Sequence, residues 1–172
     1  MNIGGTGTDT LARSAAVQIG TSSWSQVAIW ASNISAIRSD GLLYAWGLGT
    51  SGQMGDNSAV TKSSPVLVRN VNLNTASPVL ITSIGGSNSW SSVSAGQSYS
   101  LAIRNDSTLY GWGLNTLGQL ATNDIINRSS PTQVTGGGSY SQIKAGNSTA
   151  FALTTTNLLY GWGQQAVGQL NI

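Results

Sequence analysis

This 172-residue sequence predicts an all-β fold of repeated units, on three observations. A tryptophan-centred signature recurs, as Leu43-Tyr44-Ala45-Trp46-Gly47, Leu109-Tyr110-Gly111-Trp112-Gly113 and Leu159-Tyr160-Gly161-Trp162-Gly163. Short runs with a period of two, which puts alternate side chains on opposite faces of a strand, lie between turn-forming residues. No segment sustains a helical period.

Each unit opens on an aromatic-led segment: Trp24-Ser25-Gln26-Val27, Trp90-Ser91-Ser92-Val93 and Tyr140-Ser141-Gln142-Ile143. That first aromatic precedes the central tryptophan by 22 residues in all three. Next comes a strand in which Tyr99, Leu101 and Ile103 alternate with Ser100, Ala102 and Arg104. Ser39-Asp40-Gly41 and Asn105-Asp106-Ser107 are turn chemistry joining it to the Leu-Tyr-x-Trp strand, since short Asx side chains bond the backbone locally and Gly accepts left-handed conformations. Downstream stand Gly52-Gln53-Met54, Gly118-Gln119-Leu120 and Gly168-Gln169-Leu170. Lys62-Ser63-Ser64-Pro65 matches Arg128-Ser129-Ser130-Pro131, each proline 19 residues after its tryptophan. The second and third tryptophans are 50 residues apart and the first and second 66, the extra 16 lying between Pro65 and Trp90. Repeats of about 40–50 residues with several strands each indicate propeller blades.

The run Ala95-Gly96-x-x-x-Ser100-Leu101-Ala102-Ile103, followed by the Trp112 signature, Asn115 and Gly118-Gln119-Leu120, resembles the regulator of chromosome condensation repeat. The resemblance covers nearly the whole chain. It implies a seven-bladed β-propeller whose usual role is protein–protein binding; some members are guanine-nucleotide exchange factors and some secreted bacterial members inhibit β-lactamases. This chain departs from the pattern in places. The family's His before Ser-Leu-Ala is Tyr99 here, Thr149 in the third unit and Asn33 in the first, and Trp30 stands where the second unit has Gly96. There are three units, and no exchange-factor wedge matches residue by residue.

The units fall at 24–89 (with the insert), 90–139 and 140–172, and residues 1–23 read as the end of a split blade. Arg13-Ser14-Ala15-Ala16-Val17 aligns with Arg128-Ser129-Ser130-Pro131-Thr132, whereas the sequence finishes in mid-unit at Gly168–Ile172. Three blades are too few to close, since propellers use about 4–8. Head-to-tail joining of two copies would give six blade equivalents. The alternative is a piece of a longer protein.

Composition narrows the function. Charged residues are 7% of the chain, against about 25% in an average soluble protein. The net charge of +2 comes from scattered cations, Arg13, Arg38, Lys62, Arg69, Arg104, Arg128 and Lys144, not the clustered Lys and Arg that displace counterions from phosphates. Nucleic acid is not an expected partner. The start has no basic n-region or apolar h-region, and no stretch approaches the roughly 18–20 apolar residues of a membrane helix. There is no Cys, so no disulfide or thiolate zinc site. There is no His, so the common serine triad is impossible, and no Glu.

Other candidates for chemistry are weak. Gly47-Leu48-Gly49-Thr50-Ser51-Gly52 fits G-x-G-x-x-G, but a dinucleotide site needs a helix after it, and the second unit has Asn115 at the middle Gly. Of the five acids, Asp9, Asp40, Asp56, Asp106 and Asp124, the pair Asp40 and Asp106 repeats one turn position. No acid spacing resembles a calcium loop. The identical register of Trp46, Trp112 and Trp162 favours a core role over sugar stacking. The Asn-x-Ser/Thr triplets at Asn33, Asn105, Asn127 and Asn147 follow from composition.

Two features are individual. Trp30 has no counterpart in the other units. The insert, 69–86, carries Arg69, Asn70, Asn72 and Asn74 between apolar residues, and long loops on a repeat scaffold often bind. The expectation is a non-enzymatic propeller, with neither cofactor nor metal, acting as a structural or attachment subunit of a particle such as a phage virion. Its contacts would be Trp30, the insert, a second copy and other subunits. The alternative is a free protein-binding module (GTPase regulator or enzyme inhibitor), cytoplasmic rather than particle-bound, or a glycan binder.

Overall fold

A computed structural model describes residues 15–68, 89–136 and 138–165. Eleven strands and no helix are found among them. The strands are β1 (Trp24–Trp30), β2 (Asn33–Arg38), β3 (Leu43–Gly47), β4 (Lys62–Leu67), β5 (Trp90–Ala95), β6 (Tyr99–Arg104), β7 (Leu109–Gly113), β8 (Arg128–Gln133), β9 (Tyr140–Ala145), β10 (Thr149–Thr154) and β11 (Leu159–Gly163). They form three antiparallel meanders, β1-β2-β3-β4, β5-β6-β7-β8 and β9-β10-β11.

The turns obey the chemistry read from sequence. Asp40 Oδ1 accepts the Leu42 N–H, and Asp106 Oδ1 accepts the N–H and O–H of Thr108. The same turn position is left-handed in each unit, at Gly41, Ser107 and Asn157. The glycine after each tryptophan is also left-handed (φ 106° at Gly47, 104° at Gly113 and 97° at Gly163), and a β-carbon there would press on the backbone at the start of the second strand. No helix follows Gly47–Gly52, so the glycine-rich stretch is a loop between β3 and β4.

Burial departs from the simple alternation expected of the second strand. In β6, Tyr99 through Ile103 are buried without a break, on both faces. The cause is stacking: the middle sheet lies between the other two, so its central strands, β6 and β7, are covered on both faces. The apolar cores accordingly sit between sheets. One joins Ile37, Leu43, Met54 and Val68 of the first to Val93, Ala102 and Trp112 of the second. The other joins Ile103, Leu109, Leu120 and Val134 of the second to Ile143, Ala150 and Ala152 of the third.

Further contacts fasten the seams, and one of them repeats at both. The Trp112 indole N–H donates to the Gln53 carbonyl of the preceding unit, and Trp162 donates likewise to Gln119. Trp112 is a core residue as expected; Trp162 and Trp46, on the outer units, are half-buried. The first strands are laced by polar side chains: the Gln26 amide donates to Ser91 O and accepts the Val93 N–H, while Ser94 Oγ accepts the Ala145 N–H. The loop after β3 rests on β8, where the Asn57 N–H donates to Ser129 O.

A candidate binding face at the hairpin end

In an up-and-down meander, the β1–β2 hairpin and the β3–β4 loop leave the sheet at the same end. That end gathers Trp30 with the two long loops, 48–61 and 114–127. These loops expose Leu48, Val60, Leu117, Ile125 and Ile126. Exposed side chains of this size on polar loops carry contact area at little ordering cost, because the loops are held. The Asn115 amide, buried, donates to Asp124 and Thr122 and accepts the Leu120 N–H. In the first unit Asp56 accepts from Ser58 and pairs with Lys62 at 3.4 Å.

The first-strand hairpins at this end are tied to one another. With its amide turned so that the nitrogen faces these carbonyls, the orientation that satisfies both ends, Asn33 donates to Gln97 O and Trp30 O. The Gln97 N–H donates to Asn147 O, and the Tyr99 hydroxyl donates to Thr149 O. Burial raises the Tyr99 phenol above its ordinary range, so it stays a donor. Trp30 ends β1, half-buried and paired with Asn33. At the equivalent Gly96, a β-carbon would collide with the Tyr99 ring. The first unit carries the small Asn33 where the second carries Tyr99, which frees the space that a large residue at position 30 needs. Arg69, Asn70, Asn72 and Asn74 lie outside the described residues.

The titratable groups are arranged for structure. Asp40 is held below the ordinary carboxylate range by its hydrogen bond to Arg38, and Asp124 by the Ile126 N–H, Thr122 and Arg128. At Asp106 burial pulls upward, and the Thr108 bonds with Arg104 at 3.4 Å bring it down. A general acid needs the reverse, a pKa raised toward the working pH. Four described cations pair with these acids: Arg38 with Asp40, Lys62 with Asp56, Arg104 with Asp106 and Arg128 with Asp124. Arg38 and Arg104 also lie over the Tyr44 and Tyr110 rings, 5.1 and 5.5 Å from the centroids. No group of three or more His, Cys, Asp or Glu able to hold a metal occurs among the described residues.

Models of the regulator of chromosome condensation (RCC1) repeat match residues 40–103 and 106–153, and a second RCC1 repeat model matches 90–119 and 140–169. The chain belongs to the RCC1 repeat family. It is similar to the probable E3 ubiquitin-protein ligase HERC3 of Homo sapiens, with 32% identity over 99 residues, 58% of this chain and 8% of that protein. It is also similar to the ultraviolet-B receptor UVR8 of Arabidopsis thaliana, with 30% identity over 96 residues, 56% of this chain and 19% of the receptor. The chain therefore spans under a fifth of either relative. Among solved structures, human WBSCR16 superposes with a TM-score of 0.69 at 24% identity, covering 87% of this chain and 35% of that one. Saccharomyces cerevisiae Prp20p, whose structure is described together with its binding to Gsp1p and histones, gives 0.67 at 18%, covering 89% and 33%. The C-terminal domain of gp131 from bacteriophage phiKZ gives 0.52 at 15%, covering 87% and 38%. These likenesses establish the RCC1-type propeller fold, as the residues predicted.

Sequence reading singled out Trp30 and missed the exposed apolar residues of the loops. Leu117, Ile125 and Ile126 carry no repeat signature, and only the meander topology shows that they share an end with Trp30.

Proposed function

We propose that the chain is a non-enzymatic protein-binding propeller segment that presents its hairpin end to a folded protein partner. The observation that carries this is the exposed apolar set, Leu48, Val60, Leu117, Ile125 and Ile126, at the same end of the sheets as Trp30, with the second loop held by the buried Asn115 amide. Interfaces concentrate their energy in a few aromatic and apolar anchors with a polar surround. Prp20p, which binds Gsp1p and histones, is a precedent in the fold. The test is capture of a saturable protein partner on the immobilised chain. Trp30→Ala and Ile126→Asp are each expected to weaken capture at least tenfold, about the 1.4 kcal/mol that a modest anchor contributes. Unchanged capture by both variants overturns the reading.

A second reading is a structural or attachment subunit of a particle such as a phage virion, favoured by the likeness to phage gp131 and by the charge-poor composition. It predicts the chain in purified particles by mass spectrometry; detection only as free protein rejects it. In either reading a partner is a second copy, joined head to tail.

A further inference from the structure

The two seams inside the chain define what the outer faces lack. At each seam the outgoing sheet offers an isoleucine of its second strand, the leucine that opens its third strand, and a valine after its fourth. The incoming sheet offers a β-branched residue of its first strand and the signature tryptophan. In the first seam these are Ile37, Leu43 and Val68 against Val93 and Trp112. In the second they are Ile103, Leu109 and Val134 against Ile143 and Trp162.

The outer faces carry the same groups uncovered. On the first sheet, Val27 is 69% exposed where its equivalent Val93 is 9% exposed, and Trp46 is half-buried where Trp112 is buried. On the third sheet, Leu159 is 70% exposed where Leu109 is 1% exposed. The third sheet also has three strands against four in each of the others, so the outer edge of β11 has no neighbour among the described residues.

The fourth-strand sequence is present elsewhere in the chain. Ser130-Pro131-Thr132-Gln133-Val134 aligns with Ala15-Ala16-Val17-Gln18-Ile19, and residues 15–20 are exposed and outside any strand. Val134 N–H donates to Leu109 O, and Val68 N–H donates to Leu43 O in the same way. Ile19 is 50% exposed, whereas Val134 is 8% exposed. The face and the segment that would cover it thus both belong to this chain, yet they stay apart in it.

We infer that residues 15–20 of a second copy add a fourth strand to β9-β10-β11. This rests on the head-to-tail reading above and specifies its joint. Tyr110 pairs with Gln133 and Gly111 with Thr132, so the inter-copy register is Tyr160 with Gln18 and Gly161 with Val17. The Ile19 N–H donates to Leu159 O, and Ile19 closes over Leu159. The incoming copy then brings β1 beside β9, as β5 sits beside β1. There Gln142, exposed and equivalent to Gln26, bonds Ser25 O and the Val27 N–H, and Val27 is covered. Strand addition of this kind derives affinity from main-chain bonds and specificity from the alternating side-chain pockets.

The absence of cysteine makes the register directly testable. Single variants Gln18→Cys and Tyr160→Cys of the full chain are mixed and oxidised. Residues directly opposite across an antiparallel pair lie within disulfide reach, whereas positions two residues out of register do not. The expected result is a heterodisulfide in that mixture and none when Leu158→Cys replaces Tyr160→Cys. Light scattering on the parent chain is expected to give a multiple of 17.7 kDa, reduced to the single mass by Ile19→Asp with the tryptophan near-ultraviolet dichroism kept. A parent chain that stays at the single mass overturns both the joint and the head-to-tail reading. An associating chain whose Gln18→Cys and Tyr160→Cys variants do not cross-link overturns the donated strand alone.

Discussion

At the residue scale, the clearest lesson is that two departures from the repeat explain each other. Trp30 and Asn33 in the first unit replace Gly96 and Tyr99 in the second, a large-for-small exchange across one hairpin. Alone, Gly96→Ala sets a β-carbon against the Tyr99 ring and is expected to destabilise by about 1–3 kcal/mol. Adding Tyr99→Asn should recover part of that loss, because the Gly146 carbonyl also crowds the site. A double-mutant cycle in urea is expected to show coupling of about 0.5–3 kcal/mol; strict additivity would refute the compensation. Titration behaves differently at the two ends of the pH scale. The lowered Asp40, Asp106 and Asp124 favour the folded chain when ionised, so their contribution is present above the unfolded carboxylate pKa and disappears as pH falls through the folded values. Tyr99 is raised, so its contribution is present below the unfolded phenol pKa and is lost as pH climbs above it. With no histidine, the urea midpoint is expected to be flat between about pH 5 and 9 and to fall below about pH 4 and above about pH 10. A step near neutrality would contradict this.

At the element scale, sequence showed where the turns and strands lie but not which faces are buried. Asp40 and Asp106 announce their turns because the side chain itself bonds the backbone two residues on. The tryptophan register was legible because every seam uses it alike. The full burial of β6 was not legible, since it arises from sheets stacked on both sides, and a strand's own residues do not encode what stacks on it. Gln26 is a similar case: exposed-looking in sequence, it bonds the backbone of β5 at two points. Gln26→Ala should cost about 1–2 kcal/mol by leaving the Val93 N–H and Ser91 O poorly paired. Faster hydrogen exchange at Val93, with the amides of β6 and β7 unchanged, is the expected signature.

At the scale of the whole molecule, stability is a sum over sheets and seams, since each sheet touches only its neighbours. Among the described residues, the middle sheet has two seams and the outer two have one each. Native-state hydrogen exchange should therefore rank β6 and β7 as the slowest, with β2, β3, β10 and β11 opening first. That ranking has a concentration dependence if copies join head to tail. Covering Leu159, Val27 and Ile19 gives the outer sheets the second seam they lack, so exchange at β10 and β11 should slow as protein concentration rises, while β6 and β7 barely change. By mass action the added protection grows with ligand concentration relative to its dissociation constant, and here the ligand is the chain itself. Exchange rates in β11 that stay constant over a hundredfold range of concentration would mean that the exposed face is not closed by a second copy, and that the uncovered leucine and tyrosine serve some other neighbour.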